Sequence, residues 1–144
     1  MGNRERDPLG CICFELEQVL YEQNQISGSE FQYVSNPFGM DTIPLILYHS
    51  SNCHKPFKAS CFNNDNCLTS MFFRIEHLDL DTCCAVFSLL KPVDMDGCQV
   101  DCDDLYTLVK TGCCIKVDLS CIFAFTPLPP KIVNRALPII EPKC

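Results

Sequence analysis

MFFRIEHLDLDTCCAVFSLLK, residues Met71 to Lys91, decides the fold. Met71, Phe73 and Ile75 fall on one side of the chain and Arg74 and Glu76 on the other, the period of two of a half-buried strand. Asp79-Leu80-Asp81 supplies a turn. The second arm, Thr82 to Leu90, is apolar on both faces, which asks for a strand covered on both sides, and its length favours strand over helix. The stretch therefore predicts a β-hairpin. Adjacent side chains of a strand point in opposite directions, so at Cys83-Cys84 one thiol enters a core while its neighbour faces outward. The doublet returns at Cys113-Cys114, and no other internal repeat is present.

Working outward, Ile43 to His49 and Pro56 to Phe62 are apolar segments separated by Ser50, Ser51 and Asn52, which predicts two strands of a second hairpin. Asn63-Asn64-Asp65-Asn66 is the next turn. Downstream, Asp94-Met95-Asp96-Gly97 marks another, and Leu105 to Lys110 reads as a strand broken by Thr111-Gly112. From Cys113 to Leu119 the alternation is clean: Cys113, Ile115, Val117 and Leu119 share one face, and Cys114, Lys116 and Asp118 the other. Cys113 is thus expected as a buried core cysteine and Cys114 as an outward one. Cys121 to Phe125 is a further apolar segment, ended by the prolines of Thr126 to Pro130.

Upstream, Ile12, Leu16, Val19 and Leu20 recur at helical spacing with Glu15 and Glu17 between them, predicting one short amphipathic helix from Cys11 to about Gln23. Residues 1–10 read as a loose arm, 26–41 as a linker and 131–144 as an extended tail. The fold class expected is mainly β, a β-sandwich or jelly-roll-like domain with a short N-terminal helix and extended N- and C-terminal arms. Its expected division is an arm with helix and linker at 1–42, the sandwich at 43–127 and the tail at 128–144.

A chain of 144 residues buries roughly 68–70% of its unfolded surface without covalent help, yet 13 of them are cysteine, a density met in oxidised scaffolds. Thirteen is odd, so at least one thiol has no partner within its own chain. The N-terminal MGNRERDPLG has no apolar h-region, which predicts synthesis in a cytosol. Cytosolic synthesis and an oxidation-ready cysteine load conflict unless the protein meets oxidising conditions later. A net charge of −7 with scattered Lys and Arg disfavours nucleic acid as partner, and no apolar run is long enough for a membrane span.

Cys11 and Cys13 sit at the start of the expected helix, where its dipole favours thiolates; they read as reactive thiols or as ordinary frayed-end cysteines. No Cys-x-x-Cys pair announces zinc, although Cys53-His54 with Cys61 and Cys67 converge on a metal if the second hairpin folds over; otherwise they are thiols on strand surfaces. His49, His54 and His77 are assigned structural or surface places, since Cys53 and His54 diverge as neighbours on a strand. With no phosphate loop or acid pair, no catalytic residue and no cofactor are expected. Asp94, Asp96, Asp101, Asp103 and Asp104 lack the spacing and closing Glu of a calcium loop and read as a solvated turn. Cys98 and Cys102 within it are surface thiols or a local disulfide.

FFRIE at Phe72 to Glu76, TCCAVFSLL at Thr82 to Leu90 and CIKVDLSC at Cys114 to Cys121 together resemble the spore-coat protein Z family, the coat, crust and exosporium proteins of bacilli. IPLILY at Ile43 to Tyr48 and PFKAS at Pro56 to Ser60 extend the resemblance to roughly 11–127. Phe123 departs from it, standing where the family commonly has a second cysteine. The resemblance implies a non-enzymatic structural protein that self-assembles into disulfide-crosslinked arrays, with copies of itself and other spore coat proteins as partners. It implies synthesis in the mother cell and oxidation when that cell opens, which resolves the redox conflict. On this reading the thiols on the arms, Cys11, Cys13 and Cys144, with Cys114 on the body, are the intersubunit disulfide candidates. Cys53, Cys61, Cys67, Cys83, Cys84, Cys98, Cys102 and Cys121 complete the set of cysteines available for bonding. The rival expectation is a small zinc-binding or thiol-redox protein, and a third is an adaptor anchoring an outer layer to the coat.

Overall fold

The computed structural model describes residues 8–27, 40–50, 55–63 and 66–138. In chain order its elements are α1 (Pro8–Ser27), β1 (Leu45–His49), β2 (Ala59–Asn63), β3 (Asn66–Ser70), β4 (Phe72–Asp79), β5 (Cys84–Val93), β6 (Thr107–Asp118) and β7 (Ile122–Pro127). Five strands form an antiparallel sheet in the order β6-β5-β4-β1-β7, and β2 and β3 form a separate hairpin. Among the described residues the protein is mainly β, an antiparallel sheet with one N-terminal helix, and to that extent the class its sequence predicts.

The central hairpin exists, with a shifted turn. The Asp79 carboxylate accepts from the N–H groups of Asp81 at 3.0 Å and Thr82 at 3.4 Å. That Asx turn draws Thr82 and Cys83 out of the second arm, and Cys83 takes a left-handed φ of 56°. The arm begins at Cys84 and is covered on its inner face and, from Ser88 on, on its outer face too. Inward, Ala85, Phe87 and Leu89 pack with Leu45, Leu47, Phe73, Ile75 and Val117 beneath Ile12, Cys13 and Leu16 of α1, with Ala59, Cys61 and Leu68 of the small hairpin against the same cluster. Outward, Leu90 packs with Phe72, Met71 and Leu108 beneath Leu128, Ile132 and Val133 of the C-terminal segment. Met71 thus leaves the face it was expected to share with Phe73.

The reason is a corner at Ser70. β3 and β4 are separated by Met71 alone, and there the chain passes from the small hairpin into the large sheet. Ser70, 3% exposed, donates its hydroxyl to the Leu90 carbonyl at 2.6 Å and accepts from Phe72 N–H at 3.0 Å. This corrects the second hairpin. β1 pairs with β4 and β7, β2 pairs with β3, and only an isolated bridge from Tyr48 to Pro56 links the two segments that were expected to pair. β3, Asn-Cys-Leu-Thr-Ser, has a single large apolar side chain and so gave no strand signal.

Three irregularities adjust the register, the first where Tyr48 pairs with Ala124 but His49 with Ile122, so that Phe123 is extra. Ile75 pairs with Phe87 but His77 with Val86, so Glu76 is extra and Leu78 returns to the core side. In β6, Ser88 lies opposite Cys114 and Leu90 opposite Lys110; Thr111, Gly112 and Cys113 together face Leu89. Thr111-Gly112 is therefore a bulge inside one twelve-residue strand where a break between two strands was expected. Gly112 supplies the φ of +75° that a side chain would strain, and Thr111 ties the bulge by donating to the Leu89 carbonyl at 2.6 Å.

The helix runs about a turn beyond its expected limits at each end, from Pro8 to Ser27, and Gln23 belongs to its core face. It is 1% exposed, donates through Nε2 to the Ile75 carbonyl at 2.9 Å and accepts from Ile43 N–H at 3.0 Å. One side chain thus binds helix, sheet bulge and the entry to β1. On the outer face, Arg74 donates to the Thr42 hydroxyl and the Asp41 carbonyl and pairs with Glu76, while Lys110 pairs with Asp41 at 2.6 Å. Partial burial works to raise the Asp41 pKa, but the bonds from Lys110 and Thr42 and the charges of Lys110 and Arg74 outweigh it, holding the carboxyl below its ordinary 3.8.

Gln23→Met, similar in volume, leaves Ile43 N–H buried without a partner and removes the bond to Ile75, so chemical denaturation will show a loss of about 1–3 kcal/mol at unchanged m-value. A loss within 0.5 kcal/mol, the order of a surface change, would contradict that role. For Asp41 the depressed pKa means its contribution is present above the ordinary carboxylate value and lost as pH falls through the folded one. Asp41→Asn will therefore lower stability at neutral pH and flatten its decline on acidification, as read by thermal melts from pH 6 to 3.

Candidate functional site

The chemistry of this chain lies in its thiols, and the sheet sorts them by direction. Cys13 occupies the core face of α1 beside Ile12 and Leu16, is 3% exposed, and is bonded to Cys83 across 70 residues with Cα atoms 6.2 Å apart. The left-handed turn at Cys83 aims that sulfur under the helix. Cys61 faces inward from β2 and is bonded to Cys113 of β6, Cα atoms 6.6 Å apart. Both separations suit a disulfide. Cys98 is also disulfide-bonded.

The remaining cysteines among the described residues carry free thiols: Cys67, Cys102, Cys114 and Cys121 are exposed and Cys84 is half-exposed. Cys114 points away from the core, its sulfhydryl 3.7 Å from the Gly112 carbonyl, and Cys84 shares that outer face. Cys67 lies opposite Phe62, whose ring is 80% exposed. Cys121 ends the 3-10 turn Leu119–Cys121, which the Asp118 carboxylate caps by accepting from Ser120 N–H at 3.0 Å. That bond holds Asp118 below the usual carboxylate range. Cys102 contacts the Met71 sulfur at 3.4 Å.

These positions change several expectations. Cys13, expected as a crosslinker on a mobile arm, is a core residue in an internal bond, because α1 packs against the sheet instead of hanging from it. Cys113 turns inward as its alternation requires, yet it is half-buried, since the neighbouring bulge opens the surface beside it. Cys61 and Cys67 point to opposite faces of the small hairpin, as residues opposite Leu68 and Phe62 must, so they do not converge on one ion. Among the described residues no group of three or more His, Cys, Asp or Glu side chains is placed to hold a metal. His49 packs edge-on against Phe57 at 5.0 Å. Asp94 spends its carboxylate on the N–H groups of Asp96 and Cys98, both at 2.9 Å. Cys53, His54 and Cys144 lie outside the described residues, as does the side chain of Cys11. The pairings themselves were hidden in sequence, although the helical register places Cys13 on the stripe of Ile12, Leu16 and Val19.

The spore coat protein Z family model matches residues 10–130. The curated spore coat protein Z of Bacillus subtilis (strain 168) is 32% identical over 140 residues, covering 87% of this chain and 93% of that protein. No solved structure matches.

Removing the Cys13–Cys83 bond by the double change to alanine frees a loop of 70 residues, which on the chain-entropy account costs about 4 kcal/mol. Denaturant titration of the oxidised variant will show a loss of that order, whereas Cys114→Ser will leave stability within about 0.5 kcal/mol of the parent. Equal losses in the two variants would contradict the division into internal staples and surface thiols.

Proposed function

The chain belongs to the spore coat protein Z family, and from that premise we propose that it is a structural, non-enzymatic subunit of the spore's surface layers. It assembles with copies of itself and with other coat components into a sheet or filament, and disulfides between chains then lock the assembly. The observation that carries this reading is the coexistence of inward staples with free thiols, four of which are exposed to solvent. Exposed Phe14, Tyr21, Phe62 and Phe123 add apolar contact points beyond the core, Phe62 opposite Cys67. Synthesis in the reducing mother cell, followed by oxidation on its lysis, explains how such thiols stay unpaired until the layer is in place.

The order of events follows from geometry. A disulfide needs Cα atoms within about 7 Å, so it forms only between surfaces already docked. The crosslinkers proposed are Cys114 and Cys121 on the body with Cys11 and Cys144 on the terminal segments; Cys13 is replaced in that set because its sulfur is held by Cys83.

Changing Cys11, Cys114, Cys121 and Cys144 together to serine will leave ordered assemblies visible by electron microscopy, while boiling in detergent without reductant will release monomer. A persistent covalent ladder would show that other cysteines carry the bonds. Absence of any assembly would show that the disulfides build the array, and the proposed order would be wrong.

A further inference from the structure

The two described disulfides differ in what surrounds them. Cys13 is buried between helix and sheet at 3% exposure, with half-buried Cys83 as its partner, whereas Cys61 and Cys113, both half-buried, line an open cavity of about 270 Å³ together with Cys67, Leu68, Lys91, Gln99 and Thr111. The cavity exists for two reasons. The bulge of Thr111, Gly112 and Cys113 opposite Leu89 interrupts the β5–β6 ladder where Thr111 and Cys113 border the cavity. And the inward face of β5, which runs Ala85, Phe87, Leu89, continues with Lys91, a cation at a position of the pleat where packing asks for an apolar residue. Among the described residues Lys91 makes no ion pair.

We propose that this cavity is a thiol-exchange site, in which an incoming thiolate attacks the Cys61–Cys113 disulfide. The ammonium of Lys91 attracts the thiolate and favours it over the thiol. A bond forms between the incoming sulfur and one of the two cysteines as the Cys61–Cys113 bond breaks; the electron pair leaves on the other sulfur, which becomes a thiolate and takes a proton from water. One disulfide and one thiol enter, and one of each leaves, so no oxidant is required. Open disulfides are the exchangeable ones and enclosed ones resist, which makes Cys61–Cys113 the acceptor and Cys13–Cys83 the permanent bond. The inference stands on the cavity alone: exchange on dispersed protein would leave it intact even if no array formed.

The test treats native, oxidised protein at low ionic strength with either glutathione or a synthetic peptide of residues 138–144 of this chain, which ends in Cys144. Acid quenching, alkylation and peptide mass spectrometry then locate the adducts. The expected result is a mixed disulfide on Cys61 or Cys113 with its former partner alkylated, and Cys13–Cys83 intact. Adducts from glutathione alone assign the site to small thiols, from the peptide alone to a protein chain end, and from both to thiols in general. Lys91→Gln should slow exchange about fivefold, the weight of a nearby charge in a hydrated setting, and Cys84→Ser, on the outer face away from the cavity, should leave it unchanged. No adduct from either thiol, opening of Cys13–Cys83 as fast as Cys61–Cys113, or a Lys91→Gln rate equal to the parent's would overturn the proposal, and loss of exchange in Cys67→Ser would move the attack to that internal thiol.

Discussion

A strand that is apolar on both faces leaves neither face to water, and β5 imposes that condition on the whole molecule. Its inward row of Ala85, Phe87 and Leu89 and its outward Leu90 each remove on the order of 1.5–3 kcal/mol per large side chain from solvent only if something covers them. α1 and the small hairpin cover one side; the segment around Leu128, Ile132 and Val133 covers part of the other. Each inward cover is fixed by its own disulfide, Cys13–Cys83 for the helix and Cys61–Cys113 for the hairpin. The uncovered remainder of the outer face is polar, held by Arg74, Glu76, Ser88, Asp41 and Lys110, and there Cys84 and Cys114 meet solvent.

Direction, more than number, gives the cysteines their meaning. The pleat fixes which thiols of β5 and β6 turn inward, and the turn at Cys83 breaks the alternation just where a staple to the helix requires it. Cys13, Cys61, Cys83 and Cys113 are consumed within the chain, while Cys67, Cys84, Cys102, Cys114 and Cys121 remain free thiols.

Much of this was legible from the residues. The period of two in Phe73 and Ile75, the two-sided apolarity of β5 and the alternation from Cys113 to Leu119 gave the central strands and the inward and outward thiols of β6. What escaped reading depends on contacts distant in sequence. β3 is too polar to register as a strand, because the small hairpin faces solvent on one side. Thr111-Gly112 has the composition of a terminator, yet a bulge tied by the Thr111 hydroxyl absorbs it. The helix is expected on an arm because its apolar stripe, Cys13 included, carries no record of what it packs against; Gln23, which docks it, looks like a surface residue until Ile75 is seen beneath it. The resemblance carried by FRIE and VDLSC pointed to the family that the comparisons then gave.

The central claim is that the core disulfide belongs to one chain and the outward thiols join different chains. It is tested most directly by assembling and oxidising an equal mixture of unlabelled and uniformly ¹⁵N-labelled protein, then mapping disulfide-linked peptides without reduction. The account predicts that Cys13–Cys83 peptides carry one isotope throughout, while linked peptides containing Cys114 or Cys121 include mixed-isotope pairs. Mixed-isotope pairs at Cys13–Cys83, or their absence from every peptide bearing an outward cysteine, would contradict it.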